Sequence, residues 1–425
     1  MDKIVIKGNT PLNGSIEVSG MKNSAVAIIF GTILCEDVCV LHNIPMISDV
    51  QASFDILKSM GAEITQIDKT TFEIDTRVIN QGAAPFELVR KMRASYYILG
   101  SELGRFGRAK AAYPGGCEIG ARPIDQHIKA FEALGARVEC DDDTKSVTIT
   151  TGENGLYGDS VFMDIVSVGA TINAILAAVK VPGTTVIDNA AREPHVVDLA
   201  NFLNTAGADV SGAGTDTIKI RGVESLHGVN YDIIPDMIEA GTFMIAAAAT
   251  GGELMITNVI PKHLESLTAK LTDMGVEVEE FDDAVRVKYT GELKGINVKT
   301  LPYPGFPTDM NPQMGVLMCM ADGKSVMREG VWDNRFKYCD ELYKMGAAIK
   351  VSDGKMAEFL GGAKLTGADV TACDLRAGAA MIIAGLAAHG ETRIDNIKHI
   401  QRGYEDIVGK LRGVGADICL ERADN

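Results

Sequence analysis

The 425-residue chain carries a formal net charge of −16, which argues against general binding to nucleic acid or acidic lipid. With 46% hydrophobic and 23% charged residues, it has the composition of a soluble globular protein of two or three domains. Its apolar runs are too short to cross a membrane and its first residues lack the apolar stretch of a signal peptide, so we expect a cytoplasmic protein.

Two strand-like runs occupy residues 1–20, and one pattern then recurs six times: an amphipathic helix that ends at a glycine and is followed by a strand. An apolar residue stands four positions before each glycine, which gives each helix one apolar stripe. The glycine suits a left-handed helix cap. The six glycines recur about every seventy residues, at Gly61, Gly135, Gly207, Gly275, Gly346 and Gly415.

A second kind of helix lies between the amphipathic ones. It is apolar nearly all round, so we expect it to be buried. Its six copies are predicted at residues 24–35, 94–103, 168–179, 240–250, 312–320 and 377–388.

These repeats predict an α/β protein of two domains with three repeats each. The period exceeds the usual solenoid range of about 20–50 residues, which favours closed pseudo-symmetric domains over an open array. Because the last repeat lacks its final strands, we expect the N-terminal strands to complete it. The predicted domains are 22–232 and, together, 1–21 and 233–425. An ordinary α/β fold with chance similarity is the alternative, and six matches at near-constant spacing disfavour it.

The eight cysteines are scattered, without C-x-x-C or zinc-site spacing, so we expect free thiols and no metal site. Cys117 differs from the other seven in its local sequence. It lies in YPGGCEIGARP at 113–123, where proline and two glycines disfavour a helix or a central strand. A thiol near guanidinium groups such as Arg122 ionises more easily, and the thiolate is the reactive form. The alternative is an inert, small apolar residue.

Polar residues stand in the same phase of the repeat, just before or at the start of the buried helices. Helix N-termini bind anions through free backbone N–H groups and a partial positive charge. If the helix N-termini gather at one end of a domain, the lysine and arginine side chains near them would bind phosphate and carboxylate groups. Asp309 would then be the carboxylate available to handle a proton. Each residue alone could instead be a solvated surface charge or a helix cap. The set comprises Lys22, Asn23, Arg93, Ser167, Asp236, Glu239, Asp309 and Arg376, with Arg122 and Arg402 as further cations.

A set of short motifs occurs in order along nearly the whole chain: SGMKNS at 19–24, MRAS at 92–95, PGGCEIGARPIDQH at 114–127, SVGAT at 167–171, NAAREP at 189–194, FPTD at 306–309, NRF at 334–336, DLRA at 374–377 and RGYE at 402–405. Together these motifs resemble the UDP-N-acetylglucosamine 1-carboxyvinyltransferases. The resemblance implies a two-domain inside-out α/β barrel fold with six repeats, three in each domain. It implies transfer of the enolpyruvyl group of phosphoenolpyruvate to the 3′-hydroxyl of UDP-N-acetylglucosamine, the first committed step of peptidoglycan synthesis, without metal or organic cofactor.

The resemblance also implies roles for single residues. Cys117 matches a loop cysteine that donates a proton to the enolpyruvate methylene, can form an adduct with phosphoenolpyruvate and is alkylated by fosfomycin. Asp309 matches the group near the sugar hydroxyl. The implied phosphoenolpyruvate contacts are Lys22, Asn23, Arg122, Arg402 and, in support, Arg376. The implied nucleotide-sugar contacts are Arg93, Arg122, Pro123, Ile124, Asp125, Gln126, Ser167, Val168 and Val331, and Arg335 is a further substrate-binding candidate.

Three positions depart from the family pattern: Met21, Ile165 and Gln401. Ile165 replaces a lysine that some members place near the diphosphate, so one nucleotide contact is expected to be absent. Two alternatives remain beside the main prediction. A shikimate-pathway enolpyruvyl transferase shares the fold but lacks this cysteine loop, and a non-catalytic UDP-sugar-binding paralogue would keep the motifs without turnover.

Overall fold

The computed structural model describes residues 2–79, 96–112 and 124–422. These residues form two compact units of mixed α/β structure. The first unit contains the described residues from 20 to 234, and the second contains residues 2–19 and 235–422. Within the described residues, the chain passes from one unit to the other after Ser19 and after Ile234. Among the described residues, no helix combines the length and the apolar character needed to cross a bilayer.

Six helices have buried residues on nearly all sides, as predicted for the apolar kind. In the longest, every residue from Met237 to Ala249 is buried. In the second unit the three helices of this kind pack on one another. They are α1 (Lys22–Gly31), α3 (Tyr97–Phe106), α5 (Val168–Ala178), α7 (Met237–Thr250), α9 (Asn311–Met320) and α11 (Leu375–Ala387).

Six further helices are amphipathic and end before the repeating glycines. Those glycines all have φ between 83° and 107°, a left-handed conformation that glycine adopts without a steric penalty. The predicted glycine caps are therefore confirmed. The helices are α2 (Ser48–Ser59), α4 (Asp125–Ala133), α6 (Pro194–Thr205), α8 (Glu265–Asp273), α10 (Tyr338–Lys344) and α12 (Ile407–Gly413).

The described residues of the first unit form three sheets, ordered β13-β3-β5-β4, β6-β8-β7 and β11-β12-β10-β9. In the two four-stranded sheets, one edge strand runs parallel to its neighbour and the other pairs are antiparallel. The strands are β3 (Cys39–His42), β4 (Glu63–Gln66), β5 (Phe72–Asp75), β6 (Arg108–Ala112), β7 (Ala136–Asp141), β8 (Ser146–Thr151), β9 (Ser160–Phe162), β10 (Thr184–Asp188), β11 (Asp209–Ser211), β12 (Thr217–Arg221) and β13 (Asn230–Asp232).

The second unit has three four-stranded sheets of the same kind, ordered β15-β16-β14-β2, β17-β18-β20-β19 and β21-β22-β1-β23. The strands are β1 (Lys3–Lys7), β2 (Asn13–Glu17), β14 (Glu253–Thr257), β15 (Glu277–Glu280), β16 (Ala284–Lys288), β17 (Asn297–Lys299), β18 (Ser325–Arg328), β19 (Ile349–Ser352), β20 (Met356–Phe359), β21 (Asp369–Thr371), β22 (Glu391–Asp395) and β23 (Asp417–Glu421).

The N-terminal strands complete sheets of the second unit, as the sequence predicts. β1 lies between β22 and β23 and is antiparallel to both, with Ile4 opposite Ile394 on one side and Leu420 on the other. β2 pairs in parallel with β14. The last repeat therefore obtains its missing strand from the opposite end of the chain.

A buried carboxylate holds the chain where it leaves the second unit at Ser19. Glu239 accepts hydrogen bonds from the Ser19 backbone N–H at 2.6 Å and from Lys410 Nζ at 2.9 Å. Lys410 Nζ also donates to Ser19 Oγ at 2.6 Å, and that hydroxyl donates to Glu405 at 2.9 Å. Burial raises the pKa of the Glu239 carboxyl to about 7, against the opposing effect of Lys410.

A second buried carboxylate, Asp198, holds the chain just before it leaves the first unit at Ile234. Asp198, on α6, is buried and accepts hydrogen bonds from Ser24 Oγ, from the Tyr231 hydroxyl at 2.6 Å and from the Ile234 backbone N–H at 3.4 Å. Burial raises the pKa of Asp198 as well. Asp198 therefore connects the chain before the crossing to the first turn of α1.

The raised pKa of Glu239 predicts a specific pH dependence of stability. Its folded pKa of about 7 exceeds the unfolded value of about 4.3, so the folded protein binds more protons between these values. The contribution of Glu239 to the free energy of unfolding is therefore full below about pH 4 and is lost as the pH rises toward 7. We expect Glu239→Gln to flatten this part of the profile, measured by urea unfolding between about pH 5 and pH 7.

Glu132→Gln, at an exposed position on α4, is the control and should keep the wild-type slope. An unchanged slope in Glu239→Gln would contradict the role given to this carboxyl.

Candidate active site

Asp309 lies between two buried arginines in the second unit. It belongs to the short turn Thr308–Met310 that leads into α9. Arg376, in the first turn of α11, donates from Nε and Nη2 to Asp309 Oδ2 at 3.0 and 2.9 Å. Arg335 Nη2 donates to Oδ1 at 3.4 Å. The arginine side chains are 5% and 2% exposed, whereas that of Asp309 is 32% exposed, so the carboxylate is the accessible member of the group.

Asp374 fixes Arg376 from the other side. As the N-cap of α11, its Oδ1 accepts hydrogen bonds from the backbone N–H groups of Arg376 and Ala377 at 2.8 and 2.9 Å. Its Oδ2 also lies 3.9 Å from Arg335 Nη1. Sequence reasoning did not assign Asp374 a role, although an aspartate directly before an apolar helix is a typical N-cap signal.

Tyr404 contacts the Arg376 guanidinium through both its ring and its hydroxyl. The Arg376 Cζ atom lies 5.7 Å from the centre of the Tyr404 ring, and Nη1 donates to the Tyr404 hydroxyl at 3.4 Å. Burial opposes the charge of Arg376, yet Asp309 and Tyr404 hold the pKa of the guanidinium above its usual value. Arg376 therefore remains a cation beside Asp309.

Lys22 begins α1 in the first unit and pairs with an aspartate that sequence reasoning missed. Its Nζ lies 2.9 Å from Asp49 Oδ2, and both side chains are mostly buried. Asp49 stands in the first turn of α2, where a negative charge interacts favourably with the helix dipole. Asn23 follows Lys22 in the first turn of α1 and is half-buried.

Two further predicted segments meet in the first unit through Gln126. Gln126, in the first turn of α4, accepts a hydrogen bond from the Asp164 backbone N–H at 2.8 Å and donates to the Asp164 and Asp125 carboxylates at 3.2 and 2.8 Å. Asp164 lies just before Ser167, whose hydroxyl caps α5 by accepting from the Ala170 N–H. The start of α4, with Ile124 and Asp125, is thus joined to the segment that leads to Ser167 and Val168.

Val331 and Arg402 are the remaining predicted residues that the structure describes, and both belong to the second unit. Val331 is exposed after β18, and Arg402 is half-buried at the end of the turn Ile397–Arg402. The exposed Ile165 stands between Asp164 and Ser167. Within the described ranges, no group of three or more His, Cys, Asp or Glu could hold a metal ion. The predictions for Arg93, Cys117, Arg122 and Pro123 fall outside the described residues.

Comparison with known proteins identifies the family. The family model for EPSP synthase (3-phosphoshikimate 1-carboxyvinyltransferase) matches residues 6–411. A Clostridium botulinum protein named UDP-N-acetylglucosamine 1-carboxyvinyltransferase is 54% identical, over 98% of this chain and 99% of its own. The chain belongs to this family of carboxyvinyltransferases. A family member from Caldanaerobacter subterraneus, UDP-N-acetylglucosamine 1-carboxyvinyltransferase 3, is 52% identical over 99% of this chain and 100% of its own.

Solved structures of enolpyruvyl transferases confirm the predicted fold class. The enolpyruvyl transferase NikO from Streptomyces tendae superposes with a TM-score of 0.89 at 28% identity, covering 100% of this chain and 99% of its own. EPSP synthase from Acinetobacter baumannii has a TM-score of 0.76 at 19% identity, covering 99% and 100%. The second likeness concerns the fold alone.

The contacts of Asp309 predict that Arg376 contributes more than Arg335 to the free energy of unfolding. Arg376→Lys keeps the charge but loses the two-atom contact with Asp309 Oδ2, and hydrogen bonds to charged groups contribute about 1.5–3 kcal/mol. We expect the free energy of unfolding to fall by about 2 kcal/mol in urea titrations.

Arg335→Lys is the matched comparison. It removes a longer 3.4 Å contact, and Arg335 Nε has no hydrogen-bond partner among the described residues, so a smaller loss is expected. A larger loss for Arg335→Lys would contradict this ranking.

Proposed function

We propose that this chain transfers the enolpyruvyl group of phosphoenolpyruvate to the 3′-hydroxyl of UDP-N-acetylglucosamine and releases phosphate. The 54% identity to the Clostridium botulinum enzyme of that name, over 98% of this chain, carries the proposal. The partly exposed Asp309 carboxylate, held by two buried arginines, is consistent with a proton-handling group in such a site. Under this proposal, the reaction is the first committed step of peptidoglycan synthesis and takes place in the cytoplasm.

The chemistry requires one acid and one base that act in sequence. Protonation of the phosphoenolpyruvate methylene, C3, makes C2 electrophilic, and the sugar hydroxyl attacks C2 as it loses its proton. The resulting tetrahedral adduct then loses a proton from C3 and expels phosphate, which restores the double bond. We assign the proton at C3 to the Cys117 thiol and the hydroxyl proton to Asp309. Each positioned acid or base typically contributes about 10²–10⁴-fold to the rate.

Cations in fixed positions would bind the anionic substrate and stabilise the leaving phosphate. We assign the phosphoenolpyruvate contacts to Lys22, Arg122 and Arg402, with Asn23 beside Lys22. The Lys22 ammonium is already held by Asp49 at 2.9 Å, so substrate binding requires little reordering of that side chain. Arg376 and Arg335 support the site by holding Asp309.

Nucleotide-sugar binding is assigned to segments that precede or begin the helices of the first unit, together with Val331. The hydrogen bonds of Gln126 to Asp164 support a single surface formed by the starts of α4 and α5. The proposed contacts are Arg93, Arg122, Pro123, Ile124, Asp125, Gln126, Ser167, Val168 and Val331.

The acceptor alcohol decides between this proposal and its alternatives, because the matching family model is named for transfer to 3-phosphoshikimate. We expect phosphate release from phosphoenolpyruvate with UDP-N-acetylglucosamine and none with shikimate 3-phosphate. The measurement is phosphate production by the purified chain with each acceptor and with neither. Release with shikimate 3-phosphate but not with UDP-N-acetylglucosamine would instead identify a shikimate-pathway enolpyruvyl transferase. No release from folded protein would favour a non-catalytic UDP-sugar-binding protein.

Replacing the proposed acid tests the assignment of Cys117. Cys117→Ser keeps the size of the side chain but not the acidity of a thiol, so we expect turnover to fall by about 10²-fold or more. Labelling of the protein by fosfomycin, followed by mass spectrometry, should also be lost.

Cys140→Ser is the control, because Cys140 is an exposed thiol on β7 that the proposal does not use. It should keep both turnover and labelling. Full turnover in Cys117→Ser would refute the role of this thiol as the acid.

A further inference from the structure

Glu329 is a buried carboxylate that directly follows β18 in the second unit and is 5% exposed. Its Oε1 atom accepts three hydrogen bonds, from Thr300 Oγ1 at 2.6 Å and from the backbone N–H groups of Val331 and Trp332 at 2.9 and 3.1 Å. Thr300 Oγ1 in turn accepts from the Gly330 N–H at 2.9 Å. This side of Glu329 therefore fixes the turn 330–332, which presents Val331.

The other carboxylate oxygen holds the segment that carries Asp309. Glu329 Oε2 accepts from Asn311 Nδ2 at 2.7 Å and from Thr308 Oγ1 at 3.1 Å. Thr308 and Asn311 flank Asp309 on both sides. The buried Tyr338 hydroxyl donates to Asn311 Oδ1 at 2.9 Å, which orients the amide so that its nitrogen faces Glu329.

The groups that donate hydrogen bonds to the Glu329 carboxylate within the described ranges are all neutral. In the part of the chain that the structure describes, no lysine, arginine or histidine forms an ion pair with it, and its negative charge is balanced by five neutral donors. A buried charge without a cation is costly unless it is fully hydrogen-bonded. Five donors that converge on two oxygens require an acceptor-only group, and a carboxylate is the side chain that provides one.

We propose that Glu329 is a positioning residue that sets the Asp309 turn and the Val331 turn relative to each other. The inference rests on the proposed function, in which Asp309 handles the hydroxyl proton and Val331 contacts the nucleotide sugar. Because one oxygen serves each turn, Glu329 couples the orientation of the acceptor substrate to that of the group that deprotonates it. Placement of reacting groups is a large source of rate acceleration in enzymes.

Glu329→Gln separates the two sides of this arrangement. The backbone N–H groups of Val331 and Trp332 cannot become acceptors, so the amide oxygen of the new glutamine should remain with them. Its NH₂ group then faces Asn311 Nδ2, another donor that Tyr338 holds in place. The substitution therefore disturbs the Asp309 side and leaves the Val331 side intact.

The expected result of Glu329→Gln is a split between kinetic constants. We expect kcat to fall about tenfold or more, while the KM for UDP-N-acetylglucosamine changes by less than about twofold. Asn311→Asp in the same chain supplies an acceptor for the new amide and for Tyr338. The double variant Glu329→Gln with Asn311→Asp should therefore recover most of the lost kcat, and Asn311→Asp alone should not be active at the wild-type level.

Thr300→Val tests the opposite side. It removes the hydroxyl that joins Glu329 to the Gly330 N–H, so it should raise the KM for UDP-N-acetylglucosamine more than it lowers kcat. Trp332, the single tryptophan of the chain, lies in the affected turn and reports on it by intrinsic fluorescence. We expect an altered emission spectrum in Thr300→Val and a wild-type spectrum in Glu329→Gln.

Several results would overturn the inference. They are a wild-type kcat in Glu329→Gln, no recovery in the double variant, or a Trp332 spectrum that changes equally in both single variants. A wild-type chain that releases no phosphate would refute the proposed function, and with it the kinetic role of Glu329. The fluorescence comparison needs no turnover, so in that case it still decides whether Glu329 holds the two turns separately.

Discussion

Near-complete burial of six helices confines polar chemistry to their ends. An unpaired charge inside α7, α9 or α11 would lie among apolar side chains, where its desolvation would cost several kcal/mol. The first turn of a helix is different, because its free backbone N–H groups stabilise negative charge and accept caps. Lys22 and Arg376 lie in such first turns, where each cation is paired with an aspartate, and Asp309 lies in the turn just before α9. The location of the candidate site is thus a consequence of how the core is packed.

The charges of Lys22, Asp309 and Glu329 are compensated in three different ways. Lys22 and Asp49 form a simple ion pair. Asp309 is held between two arginines that are themselves fixed by Asp374. Among the residues that the structure describes, Glu329 accepts hydrogen bonds from neutral donors only. A charge bound to several groups from separate segments cannot move without breaking all of these contacts, so each arrangement holds its turn rigidly.

The repeat was predictable from the sequence because burial imposes a local pattern. Each apolar helix, and each glycine with positive φ, leaves a signature within about ten residues of chain. Asp309 and Arg376, 67 residues apart, were found through their shared phase in that repeat. Asp49, the partner of Lys22, and Glu329, which holds the residues beside Asp309, were not found. Folding brings each of them to its partners from another segment of the chain, and Glu329 follows a strand rather than a helix start. The roles of Cys117 and Arg122 rest on the family resemblance.

The position of β1 has a consequence for synthesis of the chain. β1 lies in the middle of its sheet, yet its partners β22 and β23 begin at Glu391 and Asp417. At about 5–20 residues per second, a ribosome needs roughly 20–80 seconds to make the intervening segment. The first unit, whose described sheets use only strands between β3 and β13, can form during that time. The N-terminal strand meanwhile remains an unpaired edge outside the exit tunnel, so it is the part of the nascent polypeptide that chaperones have longest to protect.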